Sequence, residues 1–384
     1  MLASVGTSLW LAGNLRAAPP DLATIKASLD ALREGAGFTK FTLIEKKKWL
    51  KGCKNRMADP PHAANVAPFL PEEDVVLEAE RELVVDYRTG RYRGKGSACL
   101  WDIEKDADGT ERFIGYLSHS EGAFDGAGFI TVRDRNSMHP SQLTPGIAIP
   151  REVRVRRLRT TEPEGRTVSD AYPSYLAEGC LPAPDQPITT RERLPPFRPE
   201  KWSAPRSITL AGRELTVLVS KPGGSSVSHE YTLRPDLGYV ASRFVRYLEG
   251  TPTHVIEIEY QPATDRPTVK NWTVQQYPYG ERGVLECETI YKVENLTRPA
   301  SVADSVFTVV PPDGSIAFDL DEMEFYITGD KSQRFDSLLA ANEYLAKRNG
   351  RDWPWIAGAV IAAVCVIAGL YVTRQRWKFG FRSP

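Results

Sequence analysis

The alternation of apolar and polar residues along much of the chain constrains its fold most. Leu215, Val217 and Val219 alternate with polar neighbours, and so do Tyr239 to Leu248, His254 to Tyr260, Asn271 to Tyr279 and Val284 to Val293. A period of two gives a strand one apolar face and one wet face. Between Val75 and Val310 no stretch sustains the helical period. Leu83 to Arg88 turns at Thr89-Gly90 and returns through Arg91-Tyr92-Arg93. Leu100 to Ile103 and Phe113 to Leu117 flank Asp106-Ala-Asp-Gly109, where glycine supplies the positive φ of a tight hairpin. Phe38 to Leu50 also reads as extended. The expectation is a mainly β (α+β) protein built on a large antiparallel sheet. A sheet of more than about ten strands must curl, so a half-barrel with a concave apolar side follows.

Few helices accompany it. Asp21 is placed to cap a helix bearing Leu22, Ile25, Leu29 and Leu32, which Gly35 and Gly37 end. Asp336 is placed to cap a second, with Leu338, Leu339, Tyr344 and Leu345, ended by Gly350. Ala58 to Pro71, rich in proline, reads as a loop. His139 to Pro205 is rich in Pro and Arg and reads as a long surface excursion, with one short helix over Pro187 to Leu194.

The two ends of the chain carry a different signal. Trp353 to Thr373 contains no charged side chain, and its 21 residues would span about 31 Å as a helix, the thickness of a bilayer core. Trp353, Trp355, Tyr371 and Trp377 stand at its ends, where amphipathic rings favour the headgroup level. Residues 353–373 are therefore expected to form a transmembrane helix, preceded by a juxtamembrane helix over 336–352. A basic tail follows over 374–384, with a slight Lys and Arg excess favouring the cytoplasmic side. Gly358/Ala362 and Ala359/Ala363 are small-residue pairs that permit helix association. Residues 1–18, apolar around Leu9 to Ala12 and closed by Ala17-Ala18, resemble an export signal without its basic start. The body, residues 19–335 with the insertion near 139–205, is then extracytoplasmic, in the periplasm of a cell envelope.

Charge narrows the partners. The 49 basic and 49 acidic residues cancel, so no global field draws nucleic acid. Cys53, Cys99, Cys180 and Cys287 can make two disulfides in an oxidising compartment or remain buried thiols. Cys365 lies in the apolar span. No cysteine pair has zinc spacing, the five histidines form no paired motif, and no cofactor or metal is expected. If Glu104 opened a calcium loop, Gly115 would stand where a bidentate Glu is required. Ser118, His119 and Ser120 are neighbours on a strand and point to alternate faces, so they form no nucleophile pair locally. No catalytic residue emerges, and an enzyme is not expected.

Arg151 to Arg159 carries five arginines. Arg154 and Arg156 share one strand face and could hold an anionic group. A solvated edge strand that resists aggregation is the simpler reading, and it applies equally to Lys46, Lys47, Lys48 and Lys51. Asn271-Trp-Thr273 and Asn295-Leu-Thr297 are formal glycosylation sequons explained by chance.

A helix followed by a long antiparallel sheet resembles the LolA/LppX/RseB-like family, the outer-membrane lipoprotein carrier-like half-barrels of bacteria. Glu121-Gly-Ala-Phe-Asp-Gly126 is similar to an early turn of that sheet, Leu233-Arg-Pro-Asp-Leu-Gly-Tyr239 to a later one, and Val306 to Gly314 to the closing strand and its turn. The resemblance covers Leu22 to Leu320. It implies an unclosed barrel under a lid of helices whose interior accepts acyl chains, and a role in carrying lipoproteins, binding lipids or sensing envelope stress. The terminal span, the Pro-Arg insertion and the length depart from the family. A tethered chain cannot shuttle between membranes, which favours local binding or sensing. The expected ligand is thus a lipid or lipoprotein acyl chain, lined by Phe41, Leu43, Trp101, Phe244, Trp272 and Tyr277, large side chains in strand segments. The alternative is an envelope sensor or structural protein that meets a protein partner through sheet edges and the insertion.

Overall fold

The computed structural model describes residues 20–52, 71–105, 111–134, 151–157, 175–179, 197–220, 226–261, 266–277, 284–319 and 322–349. The proposed signal, the apolar span 353–373, the basic tail, Cys53, Cys180, Cys365, residues 106–110 and the helix expected over 187–194 lie outside them. Among the described residues no helix is long and apolar enough to cross a membrane.

Among the described residues sixteen strands form one sheet. They are β1 (Phe38–Trp49), β2 (Val75–Asp86), β3 (Tyr92–Lys105), β4 (Glu111–Phe124), β5 (Gly128–Asp134), β6 (Arg151–Arg157), β7 (Arg206–Leu210), β8 (Arg213–Val219), β9 (Val227–Arg234), β10 (Val240–Leu248), β11 (Thr251–Tyr260), β12 (Val269–Gln276), β13 (Cys287–Thr297), β14 (Ile316–Asp319), β15 (Glu324–Ile327) and β16 (Asp330–Phe335). Their order is β16-β15-β14-β6-β5-β4-β3-β2-β1-β13-β12-β11-β10-β9-β8-β7. Every pairing is antiparallel except β14 with β6, where Ile316 lies beside Glu152 and Asp319 beside Val155 in parallel register. Among the described residues two α-helices accompany the sheet, α1 (Leu22–Ala36) and α2 (Leu338–Asn349).

Helix α1 forms as its sequence dictates. The Asp21 carboxylate accepts a hydrogen bond from the Thr24 amide at 2.7 Å, capping the first turn. Ile25 and Leu29, one turn apart, bury into the sheet. Gly37, at φ 54°, ends the helix, and its amide donates to the carbonyl of Arg33. Gly35 lies inside the last turn.

The contacts of α1 reveal how strongly the sheet bends. Ser28 donates to the carbonyl of Gly238 in the β9–β10 turn at 2.8 Å, while Arg88 in the β2–β3 turn donates to the carbonyl of Glu34 at 3.3 Å. In a flat sheet those two turns, six strand spacings apart in this order, would be separated by roughly 29 Å. Ser28 and Glu34 are only about 9 Å apart along the helix. The strands therefore curl around α1. Arg266, from the β11–β12 turn, adds a hydrogen bond to the carbonyl of Leu32.

Several sequence expectations give way here. β1 and β6 are interior strands, each paired on both sides, so neither basic run is an edge. The segment 139–205 is not wholly a surface excursion: β6 sits inside the sheet, and Leu176, Ala177, Phe197 and Trp202 are core residues. The expected closing strand over Val306 to Gly314 is a short 3-10 turn at Asp304–Phe307 followed by irregular chain. The last strands are instead β14 to β16, whose brevity hid them from any period. The Ser337 hydroxyl, rather than Asp336, accepts from the Ala340 amide to start α2. That helix packs Ala341 and Leu345 against Ile316 and Ile327 of β14 and β15.

Candidate functional site

Register decides which side chains share the concave face. On β1 the inward set is Thr39, Phe41, Leu43, Glu45, Lys47 and Trp49, and the outward set is rich in lysine. Cross-strand pairing carries the inward set to Leu83, Arg81, Ala79, Leu77 and Val75 on β2 and to Val293, Tyr291, Thr289 and Cys287 on β13. The face then divides into zones along the strand direction.

At the α1 end it is filled. Phe41, Leu43, Leu83, Phe244, Ile256 and Trp272 lie in one buried cluster with Ile25 and Leu29 of α1, Leu176 of a 3-10 turn, and Phe197 and Trp202. Glu178 clamps that 3-10 turn in place. Its fully buried carboxylate accepts from Arg298 at 3.0 and 2.8 Å and from the Thr39 hydroxyl at 3.0 Å. A buried carboxylate is tolerated only when so compensated.

Midway along β1 the face turns polar. Arg81 Nη2 lies 2.7 Å from Glu45 Oε2, and both side chains are 2% exposed. Arg81 Nε donates to the carbonyl of Ser97, and the Tyr291 hydroxyl lies 3.5 Å from Glu45 Oε1. Gly96 makes this possible. At φ 141° its backbone lies so close to β2 that a Cβ there would collide with the Glu80 carbonyl oxygen.

Beyond the pair lies a second apolar cluster of Trp49, Ala79, Cys99, Phe113 and Cys287, with Val75, Leu77 and Trp101 half-buried beside it. Trp101 stacks on Phe113 with ring centroids 5.7 Å apart, and Trp49 meets Phe113 edge-on at 5.6 Å. Every member of this cluster is a strand residue. Among the described residues no helix or 3-10 turn joins it, in contrast to the cluster around α1. The Lys47 ammonium lies 4.8 Å from the Trp49 ring centroid, within cation–π range.

The same end of the face continues across β13 to β9. The row through Trp49 runs Cys287, Gln276, His254, Arg246 and His229, each directly opposite the next. His229 stacks on Phe244 at 5.7 Å. Burial, then the neighbouring Arg246 charge, holds the His229 imidazole down at about 4.

Of the residues expected to line a cavity, Phe41, Leu43, Phe244 and Trp272 are in the filled zone, and Trp101 packs half-buried against the second cluster, whose own members are buried. Tyr277 follows β12 in step with Gln275, to which its hydroxyl donates at 3.0 Å, and so lies on the opposite face from Trp272 and Val274. Arg154 and Arg156 occupy β6, opposite Thr131 and Phe129 of β5. Cys99 and Cys287 both remain thiols, and burial pushes the Cys287 thiol up. His119 meets Ser97 across β3 and β4 at 2.6 Å, where it is exposed. Among the described residues no group of His, Cys, Asp and Glu is arranged to hold a metal ion. Sequence reading missed Glu45, Arg81 and the His229–Arg246–His254 row. Their signal was an ionisable residue standing at an inward position of an alternating strand.

Fold and face together define the class: a mainly β protein built, among the described residues, on one large open and almost wholly antiparallel sheet with two helices. No family model and no curated protein matches the chain. Among solved structures it is similar to a DUF1329 family protein from Desulfovibrio piger, at 10% identity and a TM-score of 0.35, over 76% of this chain and 98% of that one.

Proposed function

We propose that this chain is a binding protein of the bacterial envelope, tethered by residues 353–373, that holds a lipid or lipoprotein acyl chain on the concave face of its sheet. Its relationship to the LolA/LppX/RseB-like half-barrels belongs to the same proposal. One observation carries it: the inward face is capped at one end by α1 and its neighbours, while at the other, among the described residues, no helix joins a cluster of strand residues whose rim, Val75, Leu77 and Trp101, is half-buried. Burying such area is worth roughly 25 cal/mol per Å² removed from water, the driving force an acyl chain supplies. The test is organic extraction of the full-length chain from membranes followed by mass spectrometry, with displacement of a fluorescent fatty acid as a second readout. Stoichiometric lipid and displaceable binding are expected. An empty protein that takes up no fluorescent fatty acid overturns the reading.

A second reading, docking of a protein partner, is favoured by the edge strand β7, where Ile208 is 39% and Leu210 63% exposed. Such an edge can add a partner strand. Replacing Leu210 with Lys would abolish partner capture and leave lipid binding intact if this reading holds.

A further inference from the structure

We propose that the end of the body beside the C-terminus of α2 rests on an anionic bilayer surface, with Val310 dipping between the headgroups and Lys347 lying among them. This rests on the tether reading above and adds which face of the protein meets the membrane.

Three observations carry it. The first is chain length. Helix α2 ends at Asn349, and the apolar run begins four residues on, at Trp353. Such a stretch reaches at most about 14 Å. The last turn of α2 is therefore held close to the membrane boundary. It carries Lys347 and Arg348, both exposed, and basic side chains so near an anionic leaflet are attracted to it.

The second is what lies beside that turn. Arg348 is 3.5 Å from Asp330, the first residue of β16. The β15–β16 turn just before it holds the loop that leads into β14. The Gly314 amide donates to the Thr328 carbonyl at 2.9 Å and the Ser315 amide to the Thr328 hydroxyl at 2.8 Å, while that hydroxyl donates to the Pro312 carbonyl. The loop presents Val310, which at 83% is the most exposed large apolar side chain among the described residues, whereas Val309 is buried. A lone exposed valine is ordinary on a protein surface, and the place of this one is what marks it. Pro311 and Pro312 follow it and have no N–H to strip of water. The loop can thus enter an interface at small cost in backbone desolvation. Its acid, Asp313, packs back against Gly329.

The third is register. The row through Ile316 crosses Glu152, Arg133, Ser120 and Gly96 to reach Arg81. The Val310 loop lies beyond Ile316 on the side where Leu77 and Val75 lie beyond Arg81. Helix α1 is off the other side, where the β2–β3 turn meets it through Arg88 and Glu34. Seating the Val310 loop on the bilayer therefore turns the half-buried rim of the second cluster towards the lipid and α1 away from it. An acyl chain then has a direct route between bilayer and sheet.

Site-directed fluorescence of the full-length protein in vesicles tests the assignment. Cys53, Cys180 and Cys365 are replaced by Ser, Val310→Cys is labelled with the polarity-sensitive dye NBD, and the same background without Val310→Cys checks that the buried Cys99 and Cys287 stay unlabelled. In vesicles of phosphatidylcholine and phosphatidylglycerol, emission from position 310 should be blue-shifted and severalfold brighter than from Ala127→Cys in the exposed β4–β5 turn. Lipids brominated on their acyl chains should quench position 310 alone. That quenching should be weaker in phosphatidylcholine by itself, and Lys347→Glu should remove the difference. An aqueous spectrum at 310, equal quenching at both positions, or a lipid difference that Lys347→Glu leaves intact overturns the proposal. So does blue-shifted emission that brominated lipid fails to quench, because a second copy of the chain would then cover Val310. If alkaline carbonate washes the full-length protein off the vesicles, it is the tether reading that has failed, and this one falls with it. Thermal melting checks each variant; should Val310→Cys unfold the protein, Asp313→Cys in the same loop decides.

Discussion

The carboxylate of Glu45 and the guanidinium of Arg81 meet at 2.7 Å on adjacent strands, and neither side chain is more than 2% exposed. Taking both charges out of water costs several kcal/mol each, and their attraction repays this only with near-ideal geometry and further hydrogen bonds. Those are present: Arg81 also reaches the Ser97 carbonyl, and Glu45 has the Tyr291 hydroxyl and the Cys99 amide nearby.

Glu45→Gln should therefore destabilise the protein by about 3–5 kcal/mol, because it leaves the Arg81 charge buried and uncompensated. The double variant Glu45→Leu, Arg81→Met should recover most of that loss, since an apolar pair of similar volume avoids the desolvation cost altogether. Urea denaturation at neutral pH reads both. A single variant within about 1 kcal/mol of the parent would mean that water reaches the pair.

How much of this was legible in the sequence depends on what each feature rests on. Helix α1 and strands β1 to β4 could be read because their periods are long and their turns carry glycine: Gly37 and Gly90 both stand at positive φ. In the Asp125–Gly126 turn the Asp125 carboxylate accepts from the Ala127 and Gly128 amides at 2.8 Å each, chemistry the Phe-Asp-Gly motif announces. The strand order was not legible. Pairing of β1 with β13 joins Leu43 to Val293, and no local pattern encodes so distant a partner. Nor could alternation identify which inward polar residues meet. Glu45 and Arg81 become a pair only through the β1–β2 register, and His229, Arg246 and His254 become a row only through two further registers. Trp101 and Phe244 looked alike as large strand residues, yet one is half-buried at the rim of the second cluster and the other sits beneath Tyr231 in the filled zone.

His229 makes stability depend on pH in a definite direction. Its folded value of about 4 lies below the ordinary 6.5, so between those values the unfolded chain binds a proton that the native protein excludes. Stability is full above about pH 6.5 and falls as pH drops towards 4, by on the order of 2 kcal/mol once the ring's partial exposure is allowed for. Carboxylates act in a lower window. Asp74, held down first by Lys48, and Glu259, held down first by Lys270, contribute stability that is lost only as pH falls below their ordinary 3.8 and 4.5. His229→Gln should flatten the melting temperature between pH 6.5 and pH 4.5 and leave the steeper acid loss below it. An unchanged slope in that interval would show that the ring titrates freely.

Phe244 and Trp101 test where the core ends and the proposed binding surface begins. Phe244 is fully buried between Tyr231, at a ring-centroid distance of 4.9 Å, and the stacked His229. Phe244→Ala should cost about 3–5 kcal/mol through lost burial and the cavity left behind. Trp101 is only half-buried and stacks over the buried Phe113. Trp101→Ala should cost less, on the order of 1–2 kcal/mol, because part of its surface already meets water. The order reverses for a bound acyl chain: Trp101→Ala should weaken fluorescent fatty-acid binding severalfold, while Phe244→Ala, assayed well below its melting temperature, should change it little. If both variants lost stability equally and neither altered binding, Trp101 would be core like its buried neighbours Trp49 and Phe113.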